Sequence, residues 1–239
     1  MDKIAVIIPA YNEETSIAAV VADVHKASRE SGLHYWPVVV NDCSKDRTGQ
    51  IIAALECTAI QLPINLGIGG AVQTGFKYAL LNGYTHAVQV DGDGQHPPGE
   101  LKKLYQKMKA EGIDVMIGSR FVEGEGRGFQ SSLMRRLGIN YFKRLNKLLV
   151  GVVVHDSTSG LRMHNIKALQ VVSDYYPDEY PEPEAVILYV KNGLKIGEVQ
   201  VEMLERQGGV SSIDGVRSVY YMAKVTMAVL FTFIRLTFR

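Results

Sequence analysis

Residues 4–8, Ile-Ala-Val-Ile-Ile, form an apolar run without a polar position, the pattern of a strand covered on both faces. Pro9 and Asn12 break it, and a helical pattern follows over about 15–30. The same unit then repeats. A strand over 38–40 leads through a turn with Ser44 and Asp46 into a helix through Ile52 and Leu55; a strand over 59–62 precedes a helix over 70–81. A strand over 86–90 ends at Asp91 before a helix over 99–110, and a fifth strand covers 114–117. Strands separated by single helices predict an α/β fold, a mostly parallel, doubly wound sheet flanked by helices. Ligands of such sheets bind beyond the carboxyl ends of the strands. Each strand here ends in a polar cluster: 9–13, 41–46, 65–70, 91–95 and 118–120.

The second half is less regular. Residues 131–150 read as an amphipathic helix, with Leu133, Leu137, Tyr141, Leu145 and Leu148 on one stripe and Arg136, Asn140, Lys143, Arg144 and Lys147 largely opposite. A helix over 183–191, a strand over 195–201 and a C-terminal helix from 216 complete the pattern. With no repeat or low-complexity tract, the expected organisation is one domain over 1–215 followed by an apolar helix over 216–239.

Composition narrows the function classes. The chain has 239 residues, 46% hydrophobic and 21% charged, with a net charge of +1, which argues against a disordered chain and against nucleic acid as the main partner. Its two cysteines, Cys43 and Cys57, make no disulfide framework and read as reduced thiols of a cytosolic protein. Only Asp2 and Lys3 separate Met1 from the first apolar run, so no leader is expected, and the apolar stretch 225–234 is shorter than the roughly 20 residues a spanning helix needs. Charge is uneven. Seven basic residues stand against two acidic ones over 120–147, four against none over 216–239, and five acids crowd 174–184. A localised anionic partner follows.

Asp91-Gly-Asp93-Gly-Gln95 is the sharpest chemical feature: two carboxylates at i and i+2, with an amide oxygen beyond, suit Mg2+ or Mn2+. The bland alternative is an acidic turn. Gly67, Gly69 and Ala71 open a helix where backbone amides can approach phosphate oxygens, or simply form a tight turn. Neither a Walker loop nor a dinucleotide-binding glycine pattern is present. Arg120, Arg135, Arg136 and Arg206 offer planar forks for phosphate, against the plainer reading of solvated charges. Asp156 is either a general base or, with Thr158, a cap of the next turn. Glu182 and Glu184 fit a helix N-terminus, and His96 and His155 have no partner pattern.

Taken in order, Pro9-Ala-Tyr-Asn-Glu13, Asn41-Asp-Cys-Ser-Lys-Asp46, Asn65-Leu-Gly-Ile-Gly-Gly-Ala71, Asp91-Gly-Asp-Gly-Gln95, Gly118-Ser-Arg120, Thr158-Ser-Gly160 and Arg206 resemble a family-2 glycosyltransferase of the GT-A fold. Within it, the set is most similar to dolichol-phosphate-mannose synthases and their bacterial polyprenyl-phosphate relatives. The resemblance covers about 4–212. It implies that Pro9, Tyr11, Glu13 and Asp42 surround the nucleoside, with Gly67, Gly69 and Ala71 nearby. Asp91, Asp93 and Gln95 would hold the metal ion against the diphosphate; Arg120 and Arg206, assisted by Arg135 or Arg136, would bind phosphates. One departure stands out: the usual Asp-Asp-Gly-Ser reads Asn41-Asp42-Cys43-Ser44.

The expected activity is inverting, metal-dependent transfer of one sugar from a nucleotide-sugar, UDP-linked by preference, to undecaprenyl or another polyprenyl phosphate. The processive Gln-x-x-Arg-Trp signature is missing, because Gln207-Gly208 follow Arg206. A membrane surface at the cytoplasmic face, a small membrane protein or a second copy are the expected partners of the basic helix and the apolar tail. Two other readings remain: transfer to a sugar hydroxyl of a cell-surface glycan, with Asp156 or Glu184 as base, and a non-catalytic nucleotide-sugar-binding subunit.

Overall fold

A computed structural model describes residues 2–122, 133–202 and 215–238, with the backbone alone over 133–137, 139 and 215–221. In chain order the elements are β1 (Lys3–Ala10), α1 (Ile17–Ser31), β2 (His34–Asn41), α2 (Thr48–Ala53), β3 (Thr58–Gln61), α3 (Gly67–Leu81), β4 (His86–Gln89), α4 (Leu101–Glu111) and β5 (Val115–Ser119). Then follow α5 (Leu133–Val150), β6 (Arg162–Asn165), α6 (Ile166–Asp174), α7 (Pro181–Lys191), β7 (Ile196–Gln200) and α8 (Gly215–Thr237).

The strands form one sheet in the order β3-β2-β1-β4-β6-β5-β7. All pairings are parallel except those of β6, which runs against both β4 and β5. The expected mostly parallel sheet is therefore present, with one reversed strand that the sequence pattern did not announce. Two consequences place the site. β1 lies between β2 and β4, so the chain leaves β1 on one side and returns on the other, opening a crevice beyond β1 and β4. Because β6 is reversed, its start, preceded by 156–160, lies at the edge where its neighbours finish.

Alternation along β1 explains its unbroken apolar run. Ile4, Val6 and Ile8 join a core with Val20 and Val24 of α1 and Leu101 and Leu104 of α4. Ala5 and Ile7 face the other way, into a core with Val72 and Phe76 of α3, Leu169 and Val172 of α6 and Tyr189 of α7. A third, smaller core joins Phe142 of α5, Ile187 of α7 and Val225 and Val229 of α8.

α5 differs from its expected orientation. Its buried side chains are Phe142 and Asn146, with Leu145 and Leu149 against the core, whereas Tyr141 and Leu148 of the expected stripe are exposed. Packing against α7 and α8 selects the Phe142 side. α8 docks on the domain: Thr232 Oγ1 donates to Glu184 Oε2 at 2.9 Å, and the Arg235 guanidinium lies 3.9 Å from the centre of the Tyr175 ring. Among the described residues, no helix is long and apolar enough to cross a membrane.

Candidate active site

The loops after β1 and β2 are stitched together. Asn12 N donates to Ser44 Oγ at 3.0 Å, Lys45 N donates to Asn12 Oδ1 at 2.8 Å, and Glu13 N donates to Thr48 Oγ1 at 2.8 Å. Pro9, Tyr11, Glu13 and Asp42 are thereby gathered at one edge, with Pro9 buried in β1 and the Tyr11 ring exposed. The departures at 41 and 43 have structural counterparts. Asn41 Nδ2 donates to Gln61 Oε1, a bond an aspartate cannot make. Cys43 takes φ +60°, the left-handed region where a glycine is at ease.

Asp42 is buried, and its carboxylate accepts from Leu66 N at 2.7 Å and Gly67 N at 2.9 Å. It thus caps the start of α3, where an anion is electrostatically favoured. Gly69 N donates to the Asp178 carbonyl at 3.1 Å, and a Cβ at Gly69 would lie 2.0 Å from the Pro177 carbonyl oxygen. The amides of Gly67 and Gly69, expected to face a phosphate, are therefore engaged inside the protein, and Ala71 is buried in the core. Gly69 serves close approach of the 177–178 backbone, while Gly67 takes the left-handed φ of +77° that opens the turn.

Asp91 and Asp93 stand at the β4 end. Gln95 N donates to Asp93 Oδ1 at 3.0 Å, and Gly94 closes the turn at φ +78°. His96, expected to have no partner, lies with Nδ1 3.2 Å from Asp91 N and 3.3 Å from Asp91 Oδ2. Gly160 makes room for the Asp91 carboxylate: a Cβ there would sit 3.2 Å from Oδ1. Two carboxylates with Gln95 beside them form a hard-oxygen donor set, which fits Mg2+ or Mn2+ completing its shell from a diphosphate.

Arg120 and Asp156 form the wall opposite. Arg120 Nε donates to Asp156 Oδ2 and Nη2 to Oδ1, both at 2.7 Å; Arg120 N adds a bond to Oδ2, and Nη2 reaches Thr158 Oγ1 at 3.1 Å. Both residues are buried. Burial pushes the Asp156 pKa up, but the hydrogen bonds and charge of Arg120 outweigh it and hold the carboxyl below its ordinary value. With both carboxylate oxygens held by Arg120, Asp156 is placed to anchor that side chain, an arrangement that disfavours the general-base role and differs from the turn cap also expected. Arg120 likewise fixes the turn at 156–158 instead of facing solvent. From β7, Glu198 accepts from the His155 and Asp156 amides, while Gln200 bridges Arg120 O and Val122 N.

Three contributors lay outside the sequence expectations or were misassigned there. Arg162, fully buried at the start of β6, donates through Nε to Ser159 O and through Nη2 to Ser157 O, both at 2.8 Å, and so holds the turn that ends in Gly160. Glu184 points away, to Thr232 of α8; Glu182 is the acid of α7 that turns toward Arg162, Gln89 and Asp91. Glu182 is partly exposed, and its carboxyl lies among Arg162, Gln89 and Asp91. Burial raises its pKa, Arg162 opposes the rise, and the Asp91 charge adds to it. Gln89 Nε2 lies 3.4 Å from Asp91 Oδ1, linking the two acids. The signal available beforehand was the Pro-Glu-Pro-Glu start of α7. Arg206 lies outside the described residues, as do the side chains of Arg135 and Arg136, whose backbone forms the first turn of α5.

The sequence profile of glycosyl transferase family 2 matches residues 5–172. A polyprenol monophosphomannose synthase of Mycolicibacterium smegmatis is 31% identical over 88% of this chain and 80% of its own length. A UDP-N-acetylglucosamine–dolichyl-phosphate N-acetylglucosaminyltransferase of Methanococcus voltae is 33% identical over 84% of this chain and 85% of its own. Among solved structures, glucosyl-3-phosphoglycerate synthase of Mycobacterium tuberculosis, in complex with Mn2+ and UDP-glucose, superposes with a TM-score of 0.69 at 18% identity, covering 97% of this chain and 79% of that one. That likeness is one of fold, the GT-A fold. The profile covers well over half of the sequence and both relatives extend across most of it, so the chain belongs to glycosyl transferase family 2 and is a glycosyltransferase.

Proposed function

We propose that this enzyme transfers one sugar from a nucleotide-sugar, UDP-linked by preference, to the phosphate of a polyprenyl lipid at a membrane surface, with inversion and with a divalent metal ion. The observation that carries the acceptor assignment is the commitment of Asp156 to Arg120. A phosphate acceptor is anionic at neutral pH and needs no side-chain base, whereas a hydroxyl acceptor does. The relatives named for polyprenol and dolichyl phosphates support the same choice.

Asp91, Asp93 and Gln95 would hold Mg2+ or Mn2+, which when bound offsets charge on the departing nucleoside diphosphate. Pro9, Tyr11, Glu13 and Asp42 frame the nucleoside, Asp42 by fixing the α3 turn beside it. Arg206, with Arg135 or Arg136, supplies positive charge for phosphate oxygens, and the Arg120–Asp156 pair keeps the wall rigid. Glu182 favours a second reading, because a carboxyl of raised pKa beside Asp91 suits a base for a sugar hydroxyl.

The test offers purified protein, Mn2+ and undecaprenyl phosphate to labelled UDP-glucose, UDP-N-acetylglucosamine and GDP-mannose in parallel, followed by organic extraction. Label entering the organic phase from one donor, and lost in Asp93→Asn, supports the proposal and names the sugar. Donor binding without transfer from any of them contradicts it.

A further inference from the structure

The outer surface of α8 carries Met227, Phe231 and Ile234, and Phe238 directly after the helix continues the stripe at three- and four-residue steps, its amide donating to the Ile234 carbonyl. They are 52%, 63%, 50% and 85% exposed. α5 lies beside it, with Tyr141 Oη 3.0 Å from Thr226 Oγ1 and Phe142 in one core with Val225 and Val229. On α5, Tyr141 is exposed and Leu148 is 82% exposed. Six large apolar side chains on two adjoining helices are more than the scattered singles normal for a soluble surface.

Charge identifies what covers them. Neither helix contains an acid, while α5 carries Arg135, Arg136, Lys143, Arg144 and Lys147, and α8 carries Arg217, Lys224 and Arg235. Two cations of α8 are engaged within the chain, Lys224 with Glu179 and Arg235 with the Tyr175 ring; Arg144 and Lys147 are exposed. Two copies meeting through this face would bring like charges together. A bilayer of acidic phospholipid offers apolar depth for the Phe and Leu side chains and anionic headgroups for the cations.

We propose that the joint outer face of α5 and α8 seats the enzyme on an anionic lipid surface, Phe231 and Phe238 entering it and Arg144 and Lys147 lying at headgroup level. The proposal rests on the polyprenyl-phosphate reading for its purpose, because an acceptor embedded in a bilayer must be reached from the side.

The test is flotation of the full chain with vesicles of phosphatidylglycerol and phosphatidylcholine in equal parts, and with phosphatidylcholine alone. The wild type floats with the anionic vesicles. Phe231→Asp/Phe238→Asp lowers binding roughly 100-fold. Arg144→Glu/Lys147→Glu lowers it at least about tenfold, and added salt reproduces that loss. Both variants keep the wild-type Tm, and both transfer sugar to a short, water-soluble prenyl phosphate as the wild type does. Wild type remaining at the bottom of the gradient, or floating equally well in both variants, overturns the proposal. So does a wild-type dimer that the Phe pair dissociates, since a second copy would then cover the face. Flotation without sugar transfer leaves the docking face standing and removes the acceptor assignment; transfer to the soluble acceptor without flotation does the reverse.

Discussion

Arg120 and Asp156 place opposite charges where water does not reach, so each is costly without the other. Asp156→Asn removes the charge at nearly constant shape and is expected to destabilise by about 3–5 kcal/mol at pH 7, read from denaturant unfolding. The pH dependence has a definite sign. The folded pKa of Asp156 is depressed, so its contribution is complete above the unfolded value, about 3.9, and is lost as pH falls through the folded one. The gap between wild type and variant therefore narrows below about pH 4. A gap that stays constant from pH 7 to pH 3 would show that the pair is not linked to folding. Glu182 decides between acceptors. If the acceptor is a phosphate, Glu182→Gln reduces kcat by less than tenfold, and the rising limb of the pH profile stays near the second phosphate ionisation, about pH 6. If the acceptor is a hydroxyl, the same variant loses about 10²–10⁴-fold and the limb disappears.

At the scale of elements, the fit between α3 and the 177–178 backbone depends on Gly69. Gly69→Ala places a Cβ against two backbone carbonyls, which cannot move as a side-chain tip can. The expected loss is about 1–3 kcal/mol, with weakened nucleotide binding measured by calorimetry, since Asp42 grips the same turn. An Ala variant of wild-type stability and affinity would contradict this packing. The first five strands and their loops were legible in the sequence because their side chains obey simple periods and their ends carry turn residues. β6 was not, because Arg162 and His164 are buried by specific partners: Ser157 and Ser159 carbonyls for the first, the Tyr189 hydroxyl for the second. Burial and Arg162 hold the His164 pKa near 3, so that ring stays neutral. α6 went unread because it is a short helix directly joined to that strand. The buried side of α5 depended on which neighbours it met, and no pattern within 133–150 supplies that. The same limit explains Glu184: residues two apart on a helix face nearly opposite ways, and which of Glu182 and Glu184 faced the site depended on how α7 packs, with Glu184 meeting Thr232 of α8.

For the whole molecule, sheet order is what makes a site from separate segments. The chain passes from β1 to β2 on one side and returns to β4 on the other, so the nucleoside loop and the Asp91–Asp93 turn share one crevice. The reversed β6 brings Asp156, Thr158 and Gly160 to the same edge, and β7 braces them through Glu198 and Gln200. The five polar clusters were visible in the sequence as strand ends; their bracing was not, since it comes from residues as distant as Asp178 for Gly69 and Gln200 for Arg120. With Asp156 committed to Arg120, the proposed transfer needs an acceptor that carries its own negative charge. Its most direct test presents undecaprenyl phosphate and undecaprenol together in detergent, with the labelled donor and Mn2+, and separates the two lipids by charge after extraction. Label is expected on a product that still carries phosphate and releases its sugar under mild acid, with none on undecaprenol. Label on the uncharged lipid, or equal label on both, would contradict it.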